Sequence, residues 1–397
     1  MLKNSIEKFL AITLKKVFRN KKLSLHEPLF TGKEWKLIKS VIQQRNVSAL
    51  GEEKKKFLKI LKYITKSKYI ILVSSGTAAL YVSLKMLGIK KNDEVLIPNL
   101  NYIASTNAII SLGAIPHLID TEKNTYGPDA KKLNIYLEKN TKIVNGKCVN
   151  LKTRNRIIGI VPTYIFGNAY DIDSIKKICK KFSLSLIEDS AEALGTYYKK
   201  KHAGTFGSAG ILSFNGNKII TTGGGGAILL KKKKDYKLAK KFIDNAKKLS
   251  ATEFNYYFPS FNFEMPNINA TLGYSQIKNL KKILEYKKNI SLKLNKFFLK
   301  QEFFKFNIPE SKNVIWNNWL QSIYLNDNMV KYRKKIFQYA SRRNIYLRPA
   351  WKLLSNLDQK YFKFIKMNNL ENSKKHFERI ICIPSCSQTT FKAYINK

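Results

Sequence analysis

Residues 209–230 read AGILSFNGNKIITTGGGGAILL, two short apolar runs that enclose a glycine-rich loop with a single lysine, Lys218. The flanking runs, 209–215 and 226–232, are of strand length, and similar runs recur through the first two-thirds of the chain. Between these runs lie segments with the apolar spacing of helices. Continuously apolar strands that alternate with helices are typical of a mostly parallel sheet covered on both faces. The sequence therefore predicts an α/β fold.

The predicted elements follow one another without a low-complexity linker or an internal repeat. Strands are expected at 69–75, 94–99, 115–120, 157–167 and 184–191, and helices at 77–86, 102–113 and 171–182. One long lysine-rich helix is expected at 274–298, followed by a strand at 319–326 and a helix at 329–340. This change of character predicts a second, smaller α/β domain.

The composition is that of a folded protein with a large excess of positive charge. Of 397 residues, 73 are Lys or Arg and 27 are Asp or Glu, so the formal charge is +46, and 44% are hydrophobic. Such a charge would suit nucleic acid or an anionic membrane surface. The lysines, however, are spread over the whole length, without zinc-finger spacing, an RNA-binding signature or basic heptads. Solvated surface lysines are therefore favoured, and a basic binding protein remains the alternative.

The cysteines and the first residues predict compartment rather than chemistry. Cys148, Cys179, Cys382 and Cys386 lack the paired spacing of a zinc site, so no metal site is predicted and reduced thiols are expected. The apolar run in residues 1–18 is too short and too interrupted for a signal peptide or a membrane span, and an amphipathic helix is expected there. We therefore expect a cytoplasmic protein.

Three groups of residues would meet at the carboxyl edge of the sheet, where open parallel sheets bind ligands. In 74-SSGTAAL-80, Gly76 precedes a helix N-terminus that could bind phosphate, although an ordinary turn capped by Thr77 fits equally well. Asp189 ends a predicted strand, either as a helix cap or as a carboxylate that faces a cationic ring nitrogen. Lys218 is either a surface charge or, as its uncharged surroundings favour, a Schiff-base amine in a partly desolvated pocket.

Several ordered blocks give the chain a family resemblance. They are residues 187–230, IEDSAEALGTYYKKKHAGTFGSAGILSFNGNKIITTGGGGAILL, with 24-SLHEPLFTGKEW-35, 74-SSGTAAL-80, 98-PNLNYIASTNAI-109, 161-VPTYIFGNAYDID-173 and 262-NFEMPNINATLGYSQI-277. From about residue 25 to 384 the chain resembles the DegT/DnrJ/EryC1/StrS sugar aminotransferases, which use pyridoxal 5′-phosphate (PLP) on the fold-type-I scaffold. The resemblance implies a three-layer αβα large domain with a mostly parallel sheet, and a smaller C-terminal α/β domain. The expected divisions are an N-terminal helical segment and arm at 1–34, the PLP-binding domain at 35–262, and the linker helix with the small domain at 263–397.

The resemblance also assigns roles to matching residues. Lys218 is implied to form the Schiff base with PLP, and Asp189 to pair with the pyridinium nitrogen. The other residues implied at the cofactor are Gly76, Thr77 and Ser213 in a phosphate cup, Tyr102 on the ring, Glu192 near the phenolic oxygen, and Asn262 at the phosphate of the neighbouring subunit's cofactor. A homodimer with shared active sites follows from the last of these.

The implied reaction is transfer of an amino group from L-glutamate to a nucleotide-linked keto-sugar. Residues 213–226 with 316-WNNWL-320 and 347-LRPAWKLL-354 resemble the LegC-like branch, which implies a 4-keto-6-deoxy sugar of the N-acetylhexosamine type and surface-polysaccharide biosynthesis. Tyr164, Arg348 and Trp351 are the residues expected near the sugar, and Trp351 fits a structural role nearly as well. A 3-keto-sugar aminotransferase on the same scaffold, or an inactive scaffold that binds nucleic acid or membrane surfaces, remains the alternative.

Some positions depart from the family pattern. Glu264 stands where many relatives have arginine, Tyr164 where histidine is frequent, and Ser190 where alanine is usual. The first two leave the amino donor and the sugar open. His117 and His202 lie in family blocks, but without a ligand cluster around them structural roles are expected.

Overall fold

A ten-stranded sheet dominates the computed structural model, which describes residues 5–48, 50–250, 252–299 and 301–396. The strands of all the sheets, in chain order, are β1 (Tyr69–Val73), β2 (Glu94–Pro98), β3 (Ile115–Ile119), β4 (Thr141–Val144), β5 (Lys147–Asn150), β6 (Arg156–Ile160), β7 (Ser185–Asp189), β8 (Tyr197–Tyr198), β9 (Lys201–His202), β10 (Ala209–Ser213), β11 (Gly226–Leu230), β12 (Lys247–Leu249), β13 (Phe254–Tyr256), β14 (Phe304–Phe306), β15 (Val314–Ile315), β16 (Ser322–Leu325), β17 (Arg348–Pro349), β18 (Ile365–Lys366) and β19 (Ile380–Cys382). The main sheet has the order β1-β11-β10-β7-β6-β2-β3-β18, with β5 and β4 added beside β6.

Helices cover both faces of this sheet. In chain order the helices are α1 (Ile6–Phe18), α2 (Glu34–Gln43), α3 (Glu52–Thr65), α4 (Gly76–Met86), α5 (Ile103–Ser111), α6 (Ala130–Asn140), α7 (Ile172–Lys181), α8 (Lys233–Ile243), α9 (Asn267–Lys278), α10 (Leu280–Phe298), α11 (Arg333–Ser341), α12 (Glu371–Arg379) and α13 (Gln388–Ile395), and some of them pack elsewhere than on this sheet. Successive residues of a strand point to opposite faces, so Ile70 and Leu72 of β1 join one hydrophobic core whereas Ile71 and Val73 join the other. The predicted three-layer α/β fold with a mostly parallel sheet is therefore confirmed.

Several strands of the main sheet run in the same direction, so their carboxyl ends lie at one edge of the sheet. β10, β7, β6, β2 and β3 pair in parallel, and β11 runs antiparallel between β10 and β1, so β1 and β10 share one direction. The residues that follow β1, β7 and β10 therefore emerge at the same edge, where Gly226 begins β11. Lys218 lies in the loop that joins β10 to β11.

Two predicted elements were wrong in extent. The predicted strand at 157–167 ends at Ile160, since residues 165–167 form a 3₁₀ turn in which Phe166 adopts a left-handed φ of 55°. The single helix predicted at 274–298 is two helices, α9 and α10, which meet at Asn279. The Asn279 side chain donates to the Ser275 carbonyl at 3.0 Å and so satisfies an acceptor of the last turn of α9.

The C-terminal third forms a second sheet but also returns to the first. β14, β16, β19 and β17 pair antiparallel in that order. β18 instead pairs in parallel with β3 at the edge of the main sheet. The divisions predicted at 34/35 and 262/263 stay predictions, and the large sheet draws on residues from both sides of the second one.

The first helix is present where the sequence predicts one. Residues 1–4 lie outside the described part of the chain, and α1 packs its apolar face against α10 and α11. Within the described ranges, no helix combines the length and apolar character needed to cross a bilayer.

Candidate active site

Asp189 ends β7 at the carboxyl edge of the sheet and is only 5% exposed. Its Oδ2 accepts a hydrogen bond from Ser105 Oγ at 3.0 Å, and its Oδ1 accepts the Ala191 N–H at 3.2 Å. Burial raises the pKa of Asp189, while the hydrogen bonds and the charge of Lys218 act in the opposite direction. The carboxylate is thus partly stabilised and would gain from a further cationic partner.

Lys218 reaches the same region from the loop after β10. Its backbone N–H donates to the Asn215 carbonyl at 3.0 Å, which closes a turn ahead of the glycine run. Its side chain is 15% exposed, and Nζ lies 3.2 Å from Oε1 of Glu192 and 4.3 Å from the ring centroid of Trp319. The amine is therefore enclosed by one carboxylate and one indole.

Glu192 follows β7 by three residues and is also buried. Its Oε2 accepts the Phe166 N–H at 2.9 Å, and Oε1 faces Lys218. Burial raises the pKa of Glu192, and the neighbouring Lys218 lowers it. The left-handed turn at Phe166 points its N–H at this carboxylate, so the departure from a strand at 157–167 serves the site.

The turn after β1 forms a cradle beside Ser213. Ser75, not Thr77, caps helix α4: its Oγ accepts the Ala78 N–H at 3.0 Å. Thr77 is exposed, and the first N–H groups of a helix lack intrahelical acceptors. A Cβ on Gly76 would lie 3.0 Å from the Cβ of Ser213, so glycine allows the two segments to approach.

Aromatic side chains lie on the other side of the cleft. Tyr102 precedes α5 and is 55% exposed, and its ring centroid is 6.5 Å from that of Trp351. Trp351 in turn packs at 5.4 Å against Phe166. Arg348, on β17, is exposed and pairs with the Cys382 backbone on β19. The structure therefore brings Tyr102 and Trp351 together.

Two further candidate residues have other surroundings. Tyr164 is fully buried and donates its hydroxyl to Glu188, with its ring 4.8 Å from that of Tyr170. Its predicted position near the sugar is not what the structure shows, because its side chain packs in the core. Asn262 is exposed and pairs its backbone with Asp244.

The Glu264 departure is compensated locally. Its Oε1 lies 2.6 Å from Nζ of Lys54 on α3, which also donates to the Met265 carbonyl. Helix α3 therefore supplies a positive charge beside the carboxylate at position 264.

The two histidines in family blocks have structural contacts. His117 lies between Glu94 at 2.8 Å and Tyr136 at 2.9 Å, and His202 accepts the Gly195 N–H at 3.0 Å. Both rings are buried, as expected for structural roles.

Trp319 and Ser105 are site residues that sequence reasoning missed. Trp319 stands in 316-WNNWL-320, a block with no role assigned to it, and Ser105 lies in the first turns of α5. The helical position of Ser105, three residues after Tyr102, was the available signal, but only the fold shows that it faces Asp189.

The residues present fit PLP. Gly76 leaves room for a close approach beside Ser213 and the exposed Thr77, a cradle that a side chain at position 76 would fill. Asp189 offers a buried carboxylate for a cationic ring nitrogen, and Lys218 an enclosed amine. When bound, PLP would supply an electron sink for carbanion chemistry at this edge of the sheet.

Comparison with known proteins agrees with this geometry. The profile of the DegT/DnrJ/EryC1/StrS aminotransferase family matches residues 30–395. The chain is 29% identical over 330 residues to the GDP-perosamine synthase of Vibrio cholerae, covering 82% of this chain and 84% of that protein. Among solved structures, it resembles Helicobacter pylori PseC, an aminotransferase involved in the biosynthesis of pseudoaminic acid, with a TM-score of 0.82 and 22% identity over 94% of this chain and 97% of that one. It also resembles the Escherichia coli GDP-4-keto-6-deoxy-D-mannose-3-dehydratase with bound hydrated PLP, with a TM-score of 0.79 and 20% identity over 94% and 99%. The chain therefore belongs to the DegT/DnrJ/EryC1/StrS aminotransferase family and is a PLP-dependent sugar aminotransferase.

Proposed function

We propose that the protein transfers an amino group from L-glutamate to C4 of a nucleotide-linked 4-keto-6-deoxy sugar, of the N-acetylhexosamine type. The observation that carries the proposal is the meeting of Lys218, Asp189 and the Gly76 turn at one edge of the sheet. A lysine, a buried acid and a phosphate cradle are the groups that transamination with PLP requires.

Lys218 is the residue that moves protons in this proposal. Its amine takes the proton from the α-carbon of the amino donor as a general base. It later delivers a proton to C4 of the sugar, the carbon that accepts the nitrogen, as a general acid. Glu192, 3.2 Å away, accepts from the amine and keeps it directed into the cleft. Asp189 holds a negative charge where the ring nitrogen requires one.

The sugar and its carrier are supported by the relatives and by the cleft. The Vibrio cholerae relative makes a GDP-linked amino sugar by its name, and Tyr102 with Trp351 offers aromatic surface for a sugar or base. The excess of lysine would attract a diphosphate-linked substrate. The resemblance to the LegC-like branch favours the N-acetylhexosamine type, and surface polysaccharide is the proposed destination.

A homodimer with shared sites is part of the proposal. Asn262 is exposed in its own chain, as expected for a residue that completes a neighbouring site. The end of the β12–β13 hairpin and the segment that leads to Asn262 expose aromatic side chains, with Tyr256 63%, Tyr257 50% and Phe261 44% accessible. Exposed aromatic surface of this kind is typical of protein interfaces.

The rivals predict different products from the same site. The Escherichia coli protein is named a 3-dehydratase, and an aminotransferase acting at C3 would use the same lysine. A basic binding protein on an inactive scaffold is the third possibility, and it would not require an enclosed amine at position 218.

Cofactor absorbance and product analysis test the proposal together. The purified protein should show a visible absorbance band with PLP that Lys218→Ala abolishes, whereas Lys237→Ala, which removes an exposed lysine on α8, leaves it. The pyridoxamine form should then be mixed with a panel of 3- and 4-keto nucleotide sugars, and the product identified by NMR. Amination at C4 supports the proposal, and amination at C3 or loss of water contradicts it. A protein without the band that binds DNA with a steep salt dependence would support the basic binder instead.

A further inference from the structure

Four side chains form a continuous row that begins with the active-site residue Lys218. Lys218 Nζ lies 4.3 Å from the ring centroid of Trp319. The Trp319 ring is 6.1 Å from that of His26, whose Nε2 lies 2.9 Å from Lys287 Nζ. The row joins the loop after β10, the segment before β16, the N-terminal arm and helix α10.

Trp319 holds two consecutive residues of the lysine loop at once. Its indole Nε1–H donates to the Asn217 carbonyl at 2.7 Å, while its face lies against the Lys218 amine. The side chain is itself 3% exposed, and its backbone N–H donates to Asn317 Oδ1 at 3.0 Å. A ring fixed in this way sets both the backbone and the side chain of the loop.

Lys287 is an unusual residue to find in a helix core. It is fully buried, its Nζ contacts His26 and, at 3.4 Å, the Ser385 carbonyl, and none of the ion pairs within the described ranges includes it. Burying an amine without a carboxylate is costly, and an apolar side chain of similar size would pack there at less cost. Burial lowers the pKa of Lys287 and of His26. Because burying this pair is unfavourable, we infer that it has a role beyond packing.

We propose that Trp319 is a positioning residue for Lys218, and that the buried His26–Lys287 pair holds the Trp319 ring in place from behind. The inference rests on the proposed function, because it requires Lys218 to be the reactive amine. The ring and Glu192 together define a resting place for the Lys218 side chain whenever its amine is free. Cation–π contact on one side and a carboxylate on the other keep the amine within the cleft.

Selective labelling tests the position of the amine without turnover. Cofactor-free protein is treated with a substoichiometric amount of PLP, reduced with borohydride and mapped by peptide mass spectrometry. Wild type should carry most of the label on Lys218. In Trp319→Leu the ratio of Lys218 label to label on other lysines should fall about tenfold, because a cation–π contact and a hydrogen bond are both lost. Trp319→Phe should recover part of it, since a ring remains.

Trp316 provides the matched control. Its indole also donates to a backbone carbonyl, that of Phe166 at 3.0 Å, but no contact joins it to Lys218 in the described structure. Trp316→Phe should destabilise the protein to a similar extent and leave the labelling ratio within about twofold. In steady-state kinetics, Trp319→Leu should lower kcat more than it changes KM for the amino donor, as expected when a reacting group is misplaced.

A double-mutant cycle tests whether His26 and Lys287 act through the ring. His26→Leu and Lys287→Met should each lower the labelling ratio about threefold in wild type and by less than about 1.5-fold in the Trp319→Leu background, since contacting residues couple. Equal effects in both backgrounds would overturn the role of the pair. An unchanged labelling ratio and kcat in Trp319→Leu would overturn the role of Trp319. Absence of Lys218 label in wild type would instead contradict the proposed function.

Discussion

Glu188 and Asp189 are consecutive residues of β7, both buried, and their carboxylates have opposite surroundings. Glu188 accepts the Tyr164 hydroxyl and three backbone N–H groups, those of Gly204 at 2.9 Å, Gly207 at 2.6 Å and Phe206. Asp189 on the other face has one hydroxyl and one N–H donor, and Lys218 nearby. The first carboxylate is saturated by its own fold, whereas the second retains capacity for a ligand. Incomplete satisfaction, rather than burial, is what distinguishes the functional acid.

Replacing Asp189 should give the largest effect and should separate activity from stability. Asp189→Asn removes the charge that the cationic ring nitrogen requires, and turnover should fall about 10²- to 10³-fold, the usual cost of losing one electrostatic group in an active site. Single-turnover transamination with glutamate measures this loss.

The same variant should make the cofactor-free protein more stable at neutral pH. The folded pKa of Asp189 is raised by burial, so its contribution to stability is full below the unfolded pKa, near 3.8, and is lost as pH rises through the folded pKa. Asparagine has no such loss. Urea unfolding of the two cofactor-free proteins at a series of pH values from about pH 4 to about pH 8 should show a difference in the free energy of unfolding that widens with pH. If the difference in free energy of unfolding does not depend on pH, the contrast drawn between Asp189 and Glu188 is wrong.

Replacing Glu188 should produce the reverse pattern. In Glu188→Gln an amide NH₂ would face N–H donors, and the free energy of unfolding should fall by about 2–3 kcal/mol because buried backbone N–H groups lose their acceptor. Turnover per folded molecule should stay within about twofold, since this face does not meet the ligand. Thermal unfolding and active-site titration of the same sample measure both quantities. Loss of turnover without loss of stability would place Glu188, not Asp189, in the site.

Gly76→Ala should weaken cofactor binding by a smaller amount. The added Cβ would lie 3.0 Å from the Ser213 Cβ, and such overpacking costs about 1–3 kcal/mol, which corresponds to about 5- to 150-fold in the dissociation constant of PLP. Ser83→Ala, farther along helix α4, is the control for helix stability and should bind PLP normally. Equal binding by both variants would argue against a cradle at Gly76.

The sequence predicts the layers of this fold well because the central strands of the main sheet are mostly apolar runs, most of them separated by helices. It also singles out Lys218 and Asp189, whose residue types are restricted by the chemistry. It does not reveal that Glu188 is saturated with donors whereas Asp189 is not. Alternation places the two side chains on opposite faces of β7 without saying which groups each face meets. Trp319 is missed for another reason: its contact with the lysine loop depends on how the segment before β16 packs, not on any local pattern. The left-handed turn at Phe166 is likewise imposed by its tertiary partner Glu192.

The smallest effect, and the closest test of the comparison, comes from the donor to Asp189. Ser105 and Thr106 are adjacent and fully buried on α5, but only Ser105 donates to Asp189, and the Thr106 hydroxyl has no partner among the described residues. Ser105→Ala should lower turnover about fivefold, since a buried hydrogen bond contributes about 1 kcal/mol. Losing the donor also raises the pKa of Asp189 further, so the acid limb of the kcat/KM profile should move to higher pH by up to about 0.7 unit. Thr106→Val should leave both the limb and turnover unchanged. If both variants behave alike, the Ser105 hydrogen bond does not set the pKa of Asp189, and the difference between Asp189 and Glu188 does not depend on this donor.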